Sequence, residues 1–298
     1  MGSQEKYLRP DVIRQVQRLD LRARFIVEGF LSGLHRSPFQ GFSSEFSEHR
    51  KYEPGDDIQY IDWNVFARTD RYYVKKFEAE TNLTGYLVMD LSASMNYTFQ
   101  EDLTKFEYGI CLAAALAHLM IKQSDSVGLV TFDEKLRLSM PPSSRRGQLG
   151  KILATLSRLQ PTGPTNVAGS LHQVASLVPH KSLVLLFSDL LAEPEPIIDA
   201  LHRLRHRGND VIVFHILDAA EVGFPFRGMT DFRDNESDQR VVVDADGVRA
   251  DYLAALTEFR DHLATESAEA GIDFVPVDTG MPFDRALVEY LQKRTRRG

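Results

Sequence analysis

The stretch "GYLVMDLSASMNY", Gly85 to Tyr97, decides the reading of this chain. Its apolar run, Tyr86 to Met89, has the length and composition of a buried strand. The run ends on Asp90, and two hydroxyls follow two residues apart, Ser92 and Ser94. A carboxylate followed by Ser-x-Ser at the end of a core strand fits four chemistries. It can be a nucleophile, a phosphate cradle, a helix cap or a metal site. The surrounding sequence has to choose among them.

Downstream, apolar runs alternate with helical segments. Strands are predicted at 84–90, 126–132 ("SVGLVTF"), 182–188 ("SLVLLFS"), 210–217 ("DVIVFHIL") and 272–277 ("IDFVPV"). Helices are predicted at about 103–123, 145–159, 166–177, 194–207, 249–269 and 283–294. "FDEKLRLSM", Phe132 to Met140, reads as a tight turn into a short antiparallel strand. Such alternation predicts an α/β fold with a doubly wound, mostly parallel sheet of Rossmann type. Residues 220–247 interrupt it with polar, Gly- and Pro-containing sequence. They read as an insertion with a hairpin signal at Asp246-Gly247. Upstream, residues 9–31 read as one amphipathic helix, with Pro10 near its start. Residues 33–65 are richer in Gly, Ser, Pro and Asp, with a turn at "PGDD", Pro54 to Asp57, and "RYYVKKFEAE" reads as a strand. The predicted organisation is therefore an N-terminal helix and block over 1–80, then an α/β domain over 81–298.

Composition narrows the function classes. The 298 residues carry a net charge of −7, which argues against nucleic acid as a partner. The single cysteine, Cys111, excludes a disulfide framework or thiolate cluster within one chain. No apolar run approaches the roughly 20 residues of a membrane span. No apolar leader opens the chain, and Lys6 stands where a myristoylation pattern wants Ser or Thr. A cytoplasmic protein is expected.

In an open α/β sheet, ligands bind outside the carboxyl ends of the strands. The polar groups predicted there are Asp90, Ser92 and Ser94; then Thr162, Thr165 and Asn166 in "PTGPTNVAGS"; then Ser188 and Asp189 in "FSDL"; then Asp218 and Glu221 in "HILDAAE". Asp218 and Glu221 read as caps of the next segment, outside any metal shell. The remaining carboxylates and hydroxyls are hard oxygen donors, suited to Mg²⁺, Mn²⁺ or Ca²⁺ rather than zinc. Two carboxylates with neutral hydroxyls leave the ion net positive, which favours a further anionic ligand such as a partner's Asp or Glu.

These residues carry a resemblance. Asp90-x-Ser92-x-Ser94, Thr165 and Asp189 resemble, in order and approximate spacing, the metal-ion-dependent adhesion site of von Willebrand factor A domains. The resemblance implies Ser92, Ser94 and Thr165 as direct metal ligands, with Asp90 and Asp189 acting directly or through water. "EFSEHRKYEPGDDIQYIDWNVFARTDRYYVKKFEAE" resembles the block of a bacterial family, domain of unknown function 58, that joins such a block to a von Willebrand factor A-like domain. Many relatives carry membrane spans before the block. Relatives are commonly encoded beside MoxR-type AAA+ ATPases, so the resemblance implies such an ATPase, or its client, as partner. The implied function is a metal-dependent protein-protein interaction module that serves as adaptor in assembly or maturation of other proteins, and not an enzyme.

A Mg²⁺-dependent phosphatase acting through Asp90 is the competing reading. It wants a second acid two residues on, where Ser92 stands, and a lysine near the acidic loop, which "FSDLLAEPEP" lacks. "DLSASMN" has neither glycine of a nucleophile elbow, and "TGPTNVAGS" does not end as a P-loop. A scaffold whose metal site is vestigial is the third reading.

Overall fold

The computed structural model describes residues 10–14, 17–34, 49–51, 72–75, 83–99, 103–237 and 239–288. By contacts the chain divides into two compact units, one of residues 1–33 with 83–298 and one of residues 34–82. In the smaller unit, β1 (His49–Lys51) pairs antiparallel with β2 (Tyr73–Lys75). The "PGDD" turn and the C-terminal "QKRTRRG" lie outside the described residues.

The larger unit begins with α1 (Pro10–Arg14) and α2 (Leu19–Leu34). The single helix expected over 9–31 is thus two. Asp20 falls in the first turn of the second helix, where a carboxylate suits the exposed amides, and its side chain takes two bonds from Arg18. The α/β body follows in chain order: β3 (Thr84–Asp90), α3 (Lys105–Lys122), β4 (Ser126–Phe132), β5 (Leu136–Ser143), α4 (Arg146–Leu156) and α5 (Val167–Leu177). Next come β6 (Leu183–Ser188), α6 (Pro194–His206), β7 (Asp210–Leu217), α7 (Ala219–Gly223), β8 (Met229–Arg233), β9 (Arg240–Asp244), α8 (Ala245–Glu269) and β10 (Asp273–Asp278).

Six strands form one sheet in the order β10-β7-β6-β3-β4-β5. All neighbours are parallel except β5, which runs antiparallel to β4 as "FDEKLRLSM" predicts. This is the expected doubly wound α/β architecture, with a strand of opposite direction at one edge. Chain direction across the sheet reverses between β3 and β6, so the crevice for a ligand opens at the carboxyl ends of those two strands.

Alternation along β3 explains its purity. Tyr86 and Val88 enter one core with Val184 and Leu186 of β6, under α5 and α6. Leu87 and Met89 lie on the opposite face, where Met89 and Phe187 approach Gly109 of α3. With both faces covered, Leu87, Val88 and Met89 are all fully buried, each contributing about 1.5–3 kcal/mol of hydrophobic stabilisation.

The insertion differs from the sequence expectation. Residues 229–244 form a hairpin, β8 against β9, but its turn lies between Arg233 and Arg240, not at Asp246-Gly247. Asp246 and Gly247 sit in the first turn of α8, which Asp244 caps by accepting from the Asp246 amide at 3.2 Å.

Candidate functional site at the carboxyl edge of the sheet

The first loop is held by the backbone. Asp90 is fully buried, and its Oδ1 accepts the Ser92 amide at 2.8 Å. Its Oδ2 accepts the Ser188 hydroxyl, from the end of β6, at 2.6 Å. That Ser188 oxygen in turn accepts the Leu190 amide at 3.0 Å. Ser92 Oγ and Ser94 Oγ lie 3.0 Å apart, the first buried and the second partly open.

The second loop is laced to the first. Ala93 donates to the Gly163 carbonyl at 2.8 Å, and Thr162 donates to the Leu91 carbonyl at 3.1 Å. Gly163 is needed on another side, against the turn after β4: a Cβ there would lie 2.5 Å from Asp133 Oδ2. Two residues on, half-buried Thr165 stands just before α5.

The third loop follows β6. Asp189 is buried, and Leu190 adopts a left-handed backbone with φ 51°. That conformation costs a residue with a Cβ about 1–2 kcal/mol and is characteristic of functional turns. The structure thus brings Asp90, Ser92, Ser94, Thr165 and Asp189 to the same edge of the sheet, at the switch point.

Two partners were not foreseen from sequence. Lys105, the first residue of α3, is buried and reaches Asp189 Oδ2 at 2.8 Å and Glu221 Oε1 at 2.9 Å. The "FSDLLAEPEP" loop therefore has a lysine beside it after all, delivered from a helix 84 residues away in sequence. Burial disfavours the ammonium, but Asp189 and Glu221 outweigh it and raise its pKa. A sequence signal existed: a lysine in the first turn of an apolar helix opposes the helix dipole, so it needs a carboxylate. The second is Glu236, at the turn of the β8–β9 hairpin. Its Oε1 accepts the Thr165 hydroxyl at 2.5 Å, and its Oε2 accepts the Thr165 amide at 2.9 Å. Asp218 and Glu221 do cap α7, as their spacing predicts, by a reciprocal capping box.

The two central carboxylates are electrostatically unequal. Burial, and then the neighbouring Asp189 charge, push Asp90 up to about 7, against the hydrogen bonds from Ser188 and Ser92. Among the described residues no lysine or arginine pairs with Asp90. His215 is buried beside the third loop. Burial lowers it to about 4, and its Nε2 donates to the Asp189 carbonyl at 2.8 Å.

A divalent cation of the kind implied by the sequence can be tested against these groups. No set of three or more His, Cys, Asp and Glu side chains that could hold a metal occurs among the described residues. An ion here would depend on hydroxyls. Asp90, a buried carboxylate lacking a counter-charge, and the paired Ser92 and Ser94 oxygens fit a hard cation. Asp189 fits only at one remove, since Lys105 occupies its Oδ2.

A family described as "Protein of unknown function DUF58" matches residues 48–262. Uncharacterized protein Rv1480 of Mycobacterium tuberculosis is 25% identical over 293 residues, spanning 96% of this chain and 91% of that protein. Uncharacterized protein YeaD of Bacillus subtilis is 28% identical over 96 residues, 32% of this chain and 22% of that protein. Among solved structures, the conserved hypothetical protein BatB from Bacteroides thetaiotaomicron superposes with a TM-score of 0.46 and 16% identity, over 72% of this chain and 99% of that one. The SpRpn10 VWA domain gives a TM-score of 0.41 and 12% identity, over 70% and 94%. No described helix is long and apolar enough to cross a membrane.

Proposed function

We propose that this chain, which belongs to the DUF58 family of proteins of unknown function, is a protein-interaction module that recognises a carboxylate of its partner through a divalent cation at the switch-point edge of the sheet. The observation that carries the reading is the convergence there of buried Asp90, the Ser92–Ser94 hydroxyl pair and Thr165.

Ser92, Ser94 and Thr165 would hold Mg²⁺, or Mn²⁺ or Ca²⁺, with Asp90 close by and Asp189 through water. The bound ion supplies residual positive charge for an incoming carboxylate. The chain's own residues do the rest. Ser188 and the Ser92 amide fix the Asp90 carboxylate, and the backbone bonds through Gly163 keep Thr165 in register with the serine loop. The proposed partner is a MoxR-type AAA+ ATPase, or the client on which it works.

The reading is not enzymatic. Ser92 and Ser94 bond each other rather than a base, and nearby His215 is spent on a backbone carbonyl. Lys105 beside Asp189 is the one observation that favours a second reading, phosphoryl transfer from a strand-end Asp90. Hydrolysis of p-nitrophenyl phosphate with Mg²⁺ tests it, and we expect none above the Asp90→Ala background.

Calorimetric titration with Mg²⁺ and Mn²⁺, beside Ser92→Ala/Ser94→Ala, tests the main reading. Saturable binding lost in the variant is expected. A wild type that binds neither ion would leave a scaffold with a vestigial site.

A further inference from the structure

The partner's place at this site is already taken, by the chain itself. We propose that the β8–β9 hairpin is an internal ligand: Glu236 holds, on Thr165, the position of a partner's carboxylate, and the partner binds by displacing it. This rests on the reading of the site as a carboxylate receptor, and adds that the Thr165 hydroxyl and amide take the carboxylate directly, as they take Glu236, beside any cation.

Both oxygens of Glu236 are used, one on the Thr165 hydroxyl and one on its amide. The bond joins residues 71 apart in sequence, so it is a tertiary latch rather than a local turn. The turn is built to present it. Asp234 accepts the Glu236 amide at 2.9 Å and the Ser237 amide at 3.3 Å, and also bonds the Ser237 hydroxyl.

The hairpin itself is lightly held. Met229, Val241 and Val242 are exposed, and a two-stranded hairpin is marginally stable alone. Aromatic contacts among Phe224, Phe226 and Phe232, with ring centroids 5.0–5.8 Å apart, hold β8 as far as Phe232, next to the turn. Beyond Phe232, residues 234–237 of the turn form a short flap tied to the second loop through Glu236, and release of that tie lets the flap move while Phe232 stays packed. A cavity of about 590 Å³ lies between the hairpin (Phe232, Val241, Val243) and Ser94, Tyr97 and Lys105. Lifting the tip frees Thr165 and widens access to Ser94 at once. A tethered carboxylate competes at an effective concentration in the millimolar range, so only a partner with further contacts displaces it.

The test is amide exchange and NMR on the full chain, in EDTA, for wild type, Glu236→Ala and Glu236→Gln. Loss of a charge-assisted bond should speed exchange of the Thr165 amide at least about ten-fold in Glu236→Ala, with Glu236→Gln in between. Sodium acetate, as the probe carboxylate, should shift the Thr165 resonance in Glu236→Ala and leave wild type unmoved. Unchanged exchange in Glu236→Ala overturns the latch. Faster exchange with an acetate response identical in both proteins, or absent from both, overturns the ligand role. Because the arms are read without metal, a failure of Mg²⁺ binding leaves their outcome intact, and their failure leaves the metal titration to stand by itself.

Discussion

Asp90→Asn should stabilise this protein at neutral pH, although it alters the central residue of the site. Asp90 is fully buried, and burial together with Asp189 moves it from an ordinary 3.8 to about 7. Between those values the folded chain binds a proton that the unfolded chain has released. Stability therefore falls as pH rises from about 4 to about 7 and stays low above that. At about 1.4 kcal/mol per pH unit of displacement, the ceiling on this loss is on the order of 4 kcal/mol. Asparagine removes the charge and keeps the shape. Its oxygen can accept the Ser92 amide, and its NH₂ can donate to Ser188, whose hydroxyl then turns away. Imperfect replacement of the Ser188 bond returns about 1 kcal/mol, so a net gain of about 1–3 kcal/mol is expected at pH 8 in EDTA. Urea unfolding followed by circular dichroism measures it. The gain should vanish by about pH 4. Saturating Mg²⁺ should stabilise wild type and not the variant, by the mass action of a ligand bound only to the folded state. An Asp90→Asn protein that is less stable than wild type at pH 8 without metal would refute the reasoning, because it would mean that the charge is already compensated.

Three further outcomes follow from the geometry. Lys105→Met strands buried Asp189 and partly buried Glu221 without their cation and should cost about 3–5 kcal/mol in urea unfolding, part of which Lys105→Met/Asp189→Asn recovers. Gly163→Ala drives a methyl group into Asp133 and should cost about 1–3 kcal/mol while weakening Mg²⁺ binding; adding Asp133→Ala should restore most of both. Cys111 is buried, and burial lifts its thiol to about 11, so at pH 8 it should resist dithiobisnitrobenzoate until urea unfolds the chain, then react as one thiol.

The strands were legible because a sheet covered on both faces needs continuous apolar runs, and "SVGLVTF" or "DVIVFHIL" can be little else. Their carboxyl ends were legible because the apolar runs end there, at Asp90, Ser188 and Asp189, which stay buried but bond the loops that follow. The hairpin turn was misplaced because Asp-Gly signals a turn only when strands flank it. In "VVVDADGVRADYLAAL" the Asp244 cap and Asp246 in the first turn start a helix instead. The turn that forms, at "DNES", is organised by Asp234 accepting from the residues that follow it. Glu236 was not legible at all, and Lys105 only as a helix-start lysine in want of a carboxylate, since neither neighbours the site in sequence. Only the packing of α3 and of the hairpin brings them to it.

Lys105 also predicts which carboxylate would govern the proposed cation. An ion approaching Asp189 Oδ2 must approach an ammonium 2.8 Å from that oxygen. Even two unit charges of the same sign at 4 Å repel by on the order of 4 kcal/mol at the effective dielectric of a protein site, and a divalent ion doubles this. Direct ligation by Asp189 is thus opposed, whereas Asp90 has no such ammonium beside it and is short of positive charge. On the proposed reading Asp189 would then act through water, one of the two roles, direct or through water, that the adhesion-site resemblance implies. Asp90→Asn should then abolish Mg²⁺ uptake in the calorimeter, while Asp189→Asn, which leaves Lys105 paired with Glu221, should weaken it less than about ten-fold, the low end for losing a residue that bonds a metal's ligands and not the metal. Equal losses in the two variants would show that Lys105 gives up Asp189 when the cation arrives.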